Sequence, residues 1–359
     1  MTSLNDYPRL LGDREDPHAQ AREARRQPLL LHSMSIFREF FEIIFVHHDI
    51  STVVEVGVES GKASGLYASL GASAVYCVEP YPTEEIRASL AADEALHLIE
   101  KLSPDALADL PVADLYVLDG DHNYAVVRQE LDWILSHAPE AVVVMHDLLW
   151  PCARRDLYYE PSSLPTEAKH PASQDGPTVW HDDLTPAGLV GLGAYTTAAH
   201  AGGERNGVLT AVEDAIAHAE DERWRFVLIP AVFGMGVLIR ETSSGAAELM
   251  HSLKPYGQSH LLAAMENNRI ALYTRVLQLQ YEAVPLADNA DRLAEDKLTQ
   301  RREIERLAAE LARATAEKQA LHCENARLAR LLQEHNTSRR IRTTLASLRR
   351  DAATYLRLS

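Results

Sequence analysis

The sequence predicts an α/β protein in which a mainly parallel sheet ends in an antiparallel hairpin and is followed by a helical C-terminal coiled coil. Short apolar runs alternate with helix-compatible segments between residues 53 and 146, and this alternation is typical of a parallel sheet. Two apolar runs only a few residues apart predict the hairpin, Phe226–Pro230 and Met235–Arg240. Beyond residue 245 the sequence becomes helical, and from about 291 it is dominated by Ala, Leu, Glu and Arg, as in coiled coils.

Five apolar runs are the predicted parallel strands, Val53–Val58, Ala74–Glu79, Leu96–Ile99, Ala113–Asp119 and Ala141–His146. The segments between these strands are compatible with helices near 62–70, 83–91, 104–109 and 123–137. Two further helices are predicted outside this alternation, an amphipathic one at 33–48 and another at 207–220.

We predict five parts in this chain, which differ in composition. They are a polar N-terminal segment (1–32), an α/β domain (33–245), a helical linker (246–290), a coiled coil (291–336) and a basic C-terminal tail (337–359). The α/β domain contains an insertion at 148–206 that is rich in Pro, Gly, Tyr and charged residues. A loop of this length in a compact domain is usually functional or mobile.

The composition and charge argue against several classes of protein. Of the 359 residues 46% are hydrophobic, which is enough for a substantial core. The 52 acidic and 35 basic residues give a formal net charge of −17, whereas nucleic-acid binding needs a basic surface. The most apolar segment, Met34–Val46, contains charged residues and is too short to cross a bilayer. Three widely spaced cysteines without a CxxC motif suit a reducing compartment. We therefore expect a soluble cytoplasmic protein without a transmembrane segment.

A turn with two glycines follows the first predicted strand. Residues 53–61 read Val-Val-Glu-Val-Gly-Val-Glu-Ser-Gly, and glycines at such a turn let the backbone approach a bulky ligand. A P-loop is excluded because three residues, not four, separate Gly57 from the following Gly-Lys pair. A G-x-G-x-x-G dinucleotide motif is excluded because Glu59 stands at its second glycine. Glu79 ends the second strand 22 residues after Gly57, where an acid can accept hydrogen bonds from both hydroxyls of a ribose.

The pattern that remains, E-x-G-x-x-x-G, resembles motif I of class I S-adenosylmethionine (SAM)-dependent methyltransferases. This resemblance implies a Rossmann-like fold with a mainly parallel seven-stranded sheet and an antiparallel C-terminal hairpin. It also implies SAM as the cofactor, with Glu55 near its methionine end and Gly57 making room for it. The cofactor-binding residues predicted on this basis are Glu55, Gly57, Val58, Ser60, Gly61, Glu79, Ser103 and Asp119. The alternative is a tight strand-to-helix turn without a ligand.

Polar residues also cluster after the fourth and fifth predicted strands. Asp119-Gly-Asp121-His-Asn-Tyr ends the fourth strand, and His146-Asp147 ends the fifth. Carboxylates gathered this closely repel one another unless a cation or a proton intervenes. Oxygen ligands favour Mg²⁺, and a histidine among them widens the choice toward Mn²⁺ or Fe²⁺.

This DGDHNY…HD pattern resembles the family of macrocin-type sugar O-methyltransferases and cephalosporin hydroxylase-like methyltransferases, over about residues 50–150. The resemblance implies a divalent metal, Mg²⁺ in the first place, with Asp119 and Asp147 as ligands and Asp121 as general base. Strand-ending turns and a helix cap are the alternative roles for these three acids.

Two histidines in the same pattern are less clearly assigned. His146 stands where the family usually has an acid, so it is either a third metal ligand or a structural partner of its neighbours. His122 is predicted to support the ligands or to belong to the turn.

The insertion contains residues suited to an acceptor. Arg154 and Arg155 stand close to Trp150, Tyr158 and Tyr159. Aromatic rings beside paired arginines suit a sugar that carries a phosphate or carboxylate, or they form a lid packed by its own side chains. A second polar run, Trp180-His-Asp-Asp, either reaches the acceptor or is a solvated loop.

The helical tail carries a heptad pattern. With Ile304 at position a, the apolar or small residues at positions a and d include Leu307, Leu311, Ala314, Leu321, Leu328 and Leu332. Lys318 and Asn325 are polar a positions of the kind that fix the register of a coiled coil. We expect a homo-oligomer through this coiled coil, and a single solvated helix is the alternative. The basic C-terminal tail resembles the endings of bacterial surface-polysaccharide proteins, and this resemblance favours a glycan acceptor. The tail either docks a membrane surface or a partner enzyme, or it is a solvated helix.

These observations predict a SAM-dependent, metal-assisted O-methyltransferase that acts on a hydroxyl of a sugar in a glycan or glycosylated metabolite. A second hypothesis is an inactive methyltransferase fold that serves as a scaffold in polysaccharide synthesis. The joint presence of Gly57, Gly61, Glu79, Asp119 and Asp121 argues against an inactive site. A nicotinamide-dependent oxidoreductase is a third hypothesis.

Overall fold

The computed structural model describes residues 34–58, 60–219 and 223–355, together with His18, Ala21 and Arg22. The predicted N-terminal segment therefore lies almost entirely outside the described residues. The chain divides into two compact units, Met1–Glu282 and Ala283–Ser359.

The described residues of the first unit form two sheets. Their strands are β1 (Thr52–Val56), β2 (Ala74–Val78), β3 (Leu96–Ile99), β4 (Leu115–Leu118), β5 (Val142–Met145), β6 (Leu157–Tyr159), β7 (Ala172–Ser173), β8 (Tyr195–Ala198), β9 (Trp224–Ile229) and β10 (Met235–Arg240). The accompanying helices are α1 (Arg38–His47), α2 (Lys62–Leu70), α3 (Glu84–Leu90), α4 (Tyr124–His137), α5 (Val208–His218), α6 (Ala246–Gly257) and α7 (His260–Tyr355).

The larger sheet has seven strands in the order β3-β2-β1-β4-β5-β10-β9. β1 pairs in parallel with β2 and β4, and the pairs β2–β3 and β4–β5 are parallel as well. β10 is antiparallel to both β5 and β9. This confirms the predicted Rossmann-like methyltransferase fold, a mainly parallel seven-stranded sheet closed by an antiparallel hairpin and followed by a long C-terminal helix.

Successive residues of β1 pack into two different apolar layers. Val53 belongs to a layer with Phe41 of α1 and Leu249 of α6, whereas Val54 belongs to a layer with Leu131 of α4. Because side chains alternate along a strand, helices must cover both faces of the sheet. This explains why the strands appear in the sequence as nearly continuous apolar runs.

One of the predicted helices is much shorter in the structure. The segment predicted as a helix near 104–109 forms turns and a single 3₁₀ turn at Leu107–Asp109. Only Ala106 and Leu107 in this segment are buried, which is too short an apolar stripe to hold an α-helix against the sheet.

The insertion after β5 has a sheet of its own, which the sequence did not predict. Its three strands are antiparallel in the order β6-β8-β7. Tyr158 of β6 is buried, and its hydroxyl donates to Asp156 at 2.9 Å. Asp156 also accepts hydrogen bonds from the backbone N–H groups of Tyr124 and Gly207, at 2.8 and 2.7 Å. The buried carboxylate of Asp156 thus links the insertion to the α/β core.

The helix α7 is continuous from His260 to Tyr355. It contains most of the predicted linker, the predicted coiled-coil segment and the described part of the predicted basic tail, whereas the first residues of the linker form α6. In the second unit its described side chains are exposed. The division after Glu282 falls later than the predicted domain end at 245, because α6 packs on the sheet and the first turns of α7 contact the site below. Among the described helices, none has the length and apolar character that crossing a membrane requires.

Candidate active site

A first pocket of about 460 Å³ lies at the carboxyl ends of β1, β2 and β4. Five of the residues predicted to bind a cofactor line it, namely Gly57, Val58, Glu79, Ser103 and Asp119. Asp121 also lines this first pocket. The fold therefore brings together residues that are up to 64 positions apart in the sequence, because the carboxyl ends of parallel strands meet at one edge.

Gly57 is required by the close approach of two strand ends. Its φ is +90°, and a Cβ atom there would lie 2.3 Å from the carbonyl oxygen of Asp119 and 2.7 Å from the Cα of Gly120. Both contacts are with backbone, so no side-chain rotation could relieve them. A glycine at this position therefore lets β1 and β4 approach each other at the floor of the first pocket.

Glu79 is held at the end of β2 by backbone donors. Its carboxylate accepts hydrogen bonds from the N–H of Val58 at 3.3 Å and from the N–H of Tyr81 at 3.1 Å. Each bond uses a different carboxylate oxygen, which fixes the plane of the group. The carboxylate lines the first pocket and retains acceptor capacity for a ligand.

Three residues predicted to bind the cofactor do not line the first pocket. Glu55 is buried within β1, accepts a short hydrogen bond from Ser64, and has its pKa raised to about 8 by burial. Gly61, with φ of +72°, is the residue that precedes α2. Ser60 is exposed. Direct contact of these three with a cofactor stays a prediction.

Glu130 of α4 lines the first pocket and was not predicted from the sequence. It is 1% exposed, and burial raises its pKa to about 8. The buried residues of α4 are Val126, Val127, Glu130, Leu131, Ile134 and Leu135. An acid at a core position of an amphipathic helix is the signal that could have identified it.

A second pocket of about 390 Å³ adjoins the first. Asp119 and Tyr159 line both pockets. The polar residues of the second pocket are Asp119, His122, His146 and Asp147, and its aromatic residues are Tyr159, Tyr195, Phe233 and Tyr273. A group bound in the first pocket and a group bound in the second can thus meet beside Asp119.

Asp119, His146 and Asp147 offer ligand atoms that lie within 4.8 Å of one another. The Nδ1 atom of His146 is 3.0 Å from an Asp119 oxygen, and its Nε2 atom is 2.7 Å from the carbonyl oxygen of Val232. Burial alone would lower the pKa of His146, but the charges of Asp119 and Asp147 raise it to about 10. The imidazolium therefore donates to two acceptors and supplies a positive charge between two acids.

The same arrangement fits a divalent metal. When Nε2–H of His146 donates to the Val232 carbonyl, the tautomer leaves the Nδ1 lone pair directed toward the two carboxylates. A backbone carbonyl on the second nitrogen is the usual partner of a metal-ligating histidine. Two carboxylates and one imidazole suit Mg²⁺ or Mn²⁺.

His122 contacts the second pocket, whereas Asp121 lines only the first. The Nδ1 atom of His122 is 3.3 Å from an Asp147 oxygen, and its ring lies 5.7 Å from the ring of Tyr159. Burial raises the pKa of Asp121, and the charge of His122 partly offsets this increase. The sequence predicted Asp121 as the base. In the structure Asp121 lines the first pocket, which is predicted to hold the cofactor, whereas His122 lines the second pocket.

A turn between β9 and β10 forms one wall of the second pocket, and α7 holds it. Val232 and Phe233 have φ values of +45° and +64°, which cost free energy in non-glycine residues. Glu266 accepts hydrogen bonds from their two N–H groups at 3.0 and 2.8 Å. Arg269 pairs with Glu266 at 2.7 Å and lies over the Phe233 ring at 4.2 Å. Burial opposes the charged form of Glu266, but Arg269 and the backbone donors lower its pKa overall.

The arginines of the insertion are used within the protein. Arg154 forms an ion pair with Glu213 at 2.5 Å. Arg155 is buried and donates to the carbonyl oxygens of Ala198 and Ala199 at 2.8 and 3.2 Å. Of the two predicted roles for this pair, the structure therefore supports the lid packed by its own side chains rather than binding of an anionic group.

The second polar run of the insertion, Trp180-His-Asp-Asp, does not line the second pocket. Trp180 stacks under the Arg275 guanidinium at 4.0 Å, and His181, Asp182 and Asp183 are exposed. This agrees with the predicted solvated loop.

Residues 54–148, about a quarter of the chain, match the family model of a methyltransferase domain. This match supports a class I SAM-dependent methyltransferase. The matched residues of the methyltransferase domain run from β1 to just beyond β5, and they include Gly57, Glu79, Asp119 and the pair His146–Asp147.

Solved methyltransferase structures resemble the chain at low sequence identity. An O-methyltransferase from Bacillus cereus in complex with S-adenosylhomocysteine (SAH) is 11% identical, with a TM-score of 0.36 over 62% of this chain and 88% of that chain. The 1,6-didemethyltoxoflavin-N1-methyltransferase of Burkholderia thailandensis, with bound 1,6-didemethyltoxoflavin and SAH, is 10% identical, with a TM-score of 0.33 over 68% and 92%. No curated protein matches the chain in sequence.

Proposed function

We propose that this protein transfers the methyl group of SAM to a hydroxyl of a neutral, sugar-containing acceptor. The observation that carries the proposal is that two pockets meet at Asp119 and Tyr159, one lined by Gly57 and Glu79 and the other by a histidine and aromatic rings. A methyl donor in the first pocket would face an acceptor in the second.

The first pocket suits the donor. Glu79 is positioned to accept from the ribose hydroxyls, and Gly57 lets the ends of β1 and β4 meet at the floor of the pocket. The sulfonium of SAM supplies an electrophilic methyl group. The protein's contribution is to hold the donor and the acceptor hydroxyl in line, which removes much of the entropic barrier.

The second pocket suits an uncharged acceptor. Neither Lys nor Arg is among its lining residues, whereas Tyr159, Tyr195, Phe233 and Tyr273 supply ring faces and hydroxyl groups. Rings with polar edges match a ligand that has apolar faces and hydroxyl edges, as a sugar has. We replace the expectation of an anionic sugar by a neutral one, because Arg154 pairs with Glu213 of α5 and Arg155 donates to a carbonyl oxygen of the insertion.

His122 is the residue that we assign as general base. Its Nδ1 atom faces Asp147, which orients the ring and favours the neutral tautomer that carries its hydrogen on Nδ1. The other ring nitrogen is then free to accept the proton of an acceptor hydroxyl in the second pocket. Asp119, His146 and Asp147 would hold a divalent metal, for which Mg²⁺ is the first choice. Such an ion lowers the pKa of a bound alcohol.

The direct test is mass spectrometry of neutral glycans and glycosides incubated with the protein and SAM carrying an isotopically labelled methyl group. We expect one labelled methyl group per acceptor, on a hydroxyl oxygen, and loss of the product after treatment with EDTA that added Mg²⁺ reverses. Binding of SAH without transfer to any acceptor would favour the scaffold hypothesis. Absence of SAH binding by the folded protein would exclude both.

The second unit is proposed to assemble copies of the chain as a coiled coil. Leu307 and Leu321, both at position d, are exposed in the single chain, and burial of such a seam stabilises association. In light scattering we expect a multiple of the 39.9 kDa chain mass and a shift to the monomer mass in the double variant Leu307→Glu/Leu321→Glu.

The matched control replaces residues on the opposite face of the same helix. Ala309→Glu/Ala316→Glu, at heptad position f, should retain the parent mass. A monomeric parent protein at micromolar concentration would contradict the proposed assembly.

A cytoplasmic location is also part of the proposed function. The free thiols of Cys77, Cys152 and Cys323 support it, because disulfides are rare in a reducing compartment.

A further inference from the structure

The first pocket is lined by two residues whose buried side-chain oxygen atoms lack hydrogen-bond partners. Within the described part of the chain, neither Oε1 of Glu130 nor Oγ of Ser103 has a hydrogen-bond partner of normal geometry. Both residues line the first pocket. A buried polar atom without a partner destabilises a protein, and a ligand that satisfies it removes that penalty.

The position of this pair along the sheet edge indicates which part of the ligand it would meet. Asp119 follows β4 and borders the second pocket, Glu79 follows β2, and Ser103 follows β3 at the opposite side of the sheet. If the reactive methyl lies toward Asp119 and the ribose lies at Glu79, the adenine base extends toward Ser103 and Glu130. This step rests on the proposed function.

We propose that Glu130, as a neutral carboxylic acid beside Ser103, recognises the 6-amino and N1 edge of the adenine of SAM. Its carbonyl oxygen would accept from the 6-amino group, and its hydroxyl would donate to N1. A neutral carboxyl group has one acceptor and one donor side by side, which matches this edge, whereas an ionised carboxylate could not donate to N1.

The surroundings of Glu130 favour the neutral form. Burial raises the pKa of its carboxyl group to about 8, and the negative charge of Asp121 acts in the same direction, while the Ser103 hydroxyl partly offsets both. The other titratable groups that line the first pocket are Glu79, Tyr81, Asp119, Tyr159 and Glu160. Most of these add negative charge, which again disfavours ionisation of Glu130.

A ligand-by-variant comparison tests the proposal. Calorimetry would measure binding of SAH and of its analogue in which hydrogen replaces the 6-amino group, to the parent protein, Glu130→Gln and Glu130→Leu. The parent should prefer SAH about tenfold, as one hydrogen bond in a buried site provides. Glu130→Gln, which offers the same acceptor and donor, should keep this preference. Glu130→Leu should bind both ligands equally.

A purely structural role for Glu130 would weaken the binding of both ligands equally and leave the preference for SAH unchanged. An undiminished preference for SAH in Glu130→Leu would therefore overturn this proposal without affecting the proposed function. Failure of the parent protein to bind SAH would overturn both this proposal and the proposed function.

A pH series provides a second measurement if Glu130→Leu does not fold. Above pH 8 the affinity of the parent for SAH should fall relative to that of Glu130→Gln, approaching about tenfold per pH unit. Titration of the ligand's own amino group is common to both proteins, and parallel pH curves for the two would overturn the proposal.

Discussion

Replacing His122 by Asn should reduce the rate of methyl transfer by about 10²–10⁴-fold, the usual contribution of a general base. The Asn side chain can still approach Asp147, which lies 3.3 Å from Nδ1 of His122, but it cannot take a proton. Because His122 lines the second pocket and not the first, the affinity for SAH should change by less than about threefold. Stopped assays with labelled SAM and calorimetry with SAH measure the two quantities separately.

Asp121→Asn is the comparison that decides between the two candidate bases. Asp121 lines the first pocket, so its replacement should alter SAH binding more than His122→Asn does. If Asp121→Asn abolishes transfer with unchanged SAH affinity while His122→Asn remains active, the base is Asp121, as the sequence predicted, and our assignment is wrong.

Replacing Gly57 by Ala should destabilise the protein by about 3 kcal/mol or more and abolish SAH binding. The added Cβ would lie 2.3 Å from the Asp119 carbonyl oxygen, in a residue whose φ is +90°. The two strand ends would have to separate, which displaces Asp119 from the boundary between the pockets. Thermal unfolding should show a midpoint lower by roughly 6–12 °C.

Gly65→Ala is the matched control for this prediction. Gly65 lies within α2, and no atom is found within 4 Å of the Cβ position. Alanine has the higher helix propensity, so this variant should be as stable as the parent or more stable by up to about 1 kcal/mol. A Gly57→Ala variant that unfolds at the same temperature as Gly65→Ala would show that the close approach of β1 and β4 is not rigid.

The sheet could be predicted from the sequence because its strands are buried on both faces. A strand such as β4, with all residues buried, gives an apolar run that stops where the strand stops. The polar residues that follow β4 and β5 were therefore placed correctly at one edge, and Asp119, His146 and Asp147 do lie together.

The walls of the second pocket could not be predicted in the same way. Tyr273 reaches the pocket from α7, which begins at His260, 20 residues after the end of β10 at Arg240. Nothing in the sequence of the predicted linker around Tyr273 distinguishes this residue from a solvated one. Long-range packing of this kind depends on how a helix docks, and local periodicity does not contain that information.

The roles of the arginines in the insertion were also not determined by the sequence. Arg155 is buried because its guanidinium meets the carbonyl oxygens at the end of β8, and those acceptors become available only once the small antiparallel sheet has formed. A pair of arginines beside aromatic residues is compatible with a ligand-binding surface and with hydrogen bonds inside the protein. Only the positions of the acceptors distinguish the two.

The contact between Glu266 and the turn at Val232 and Phe233 limits how far the protein can be shortened. A fragment that stops at residue 245 would lack the carboxylate that accepts from both N–H groups of this turn. It would also lack Tyr273. A fragment that retains a complete acceptor wall must therefore extend at least to Tyr273, about four turns into α7. The compact unit that contains this wall ends at Glu282.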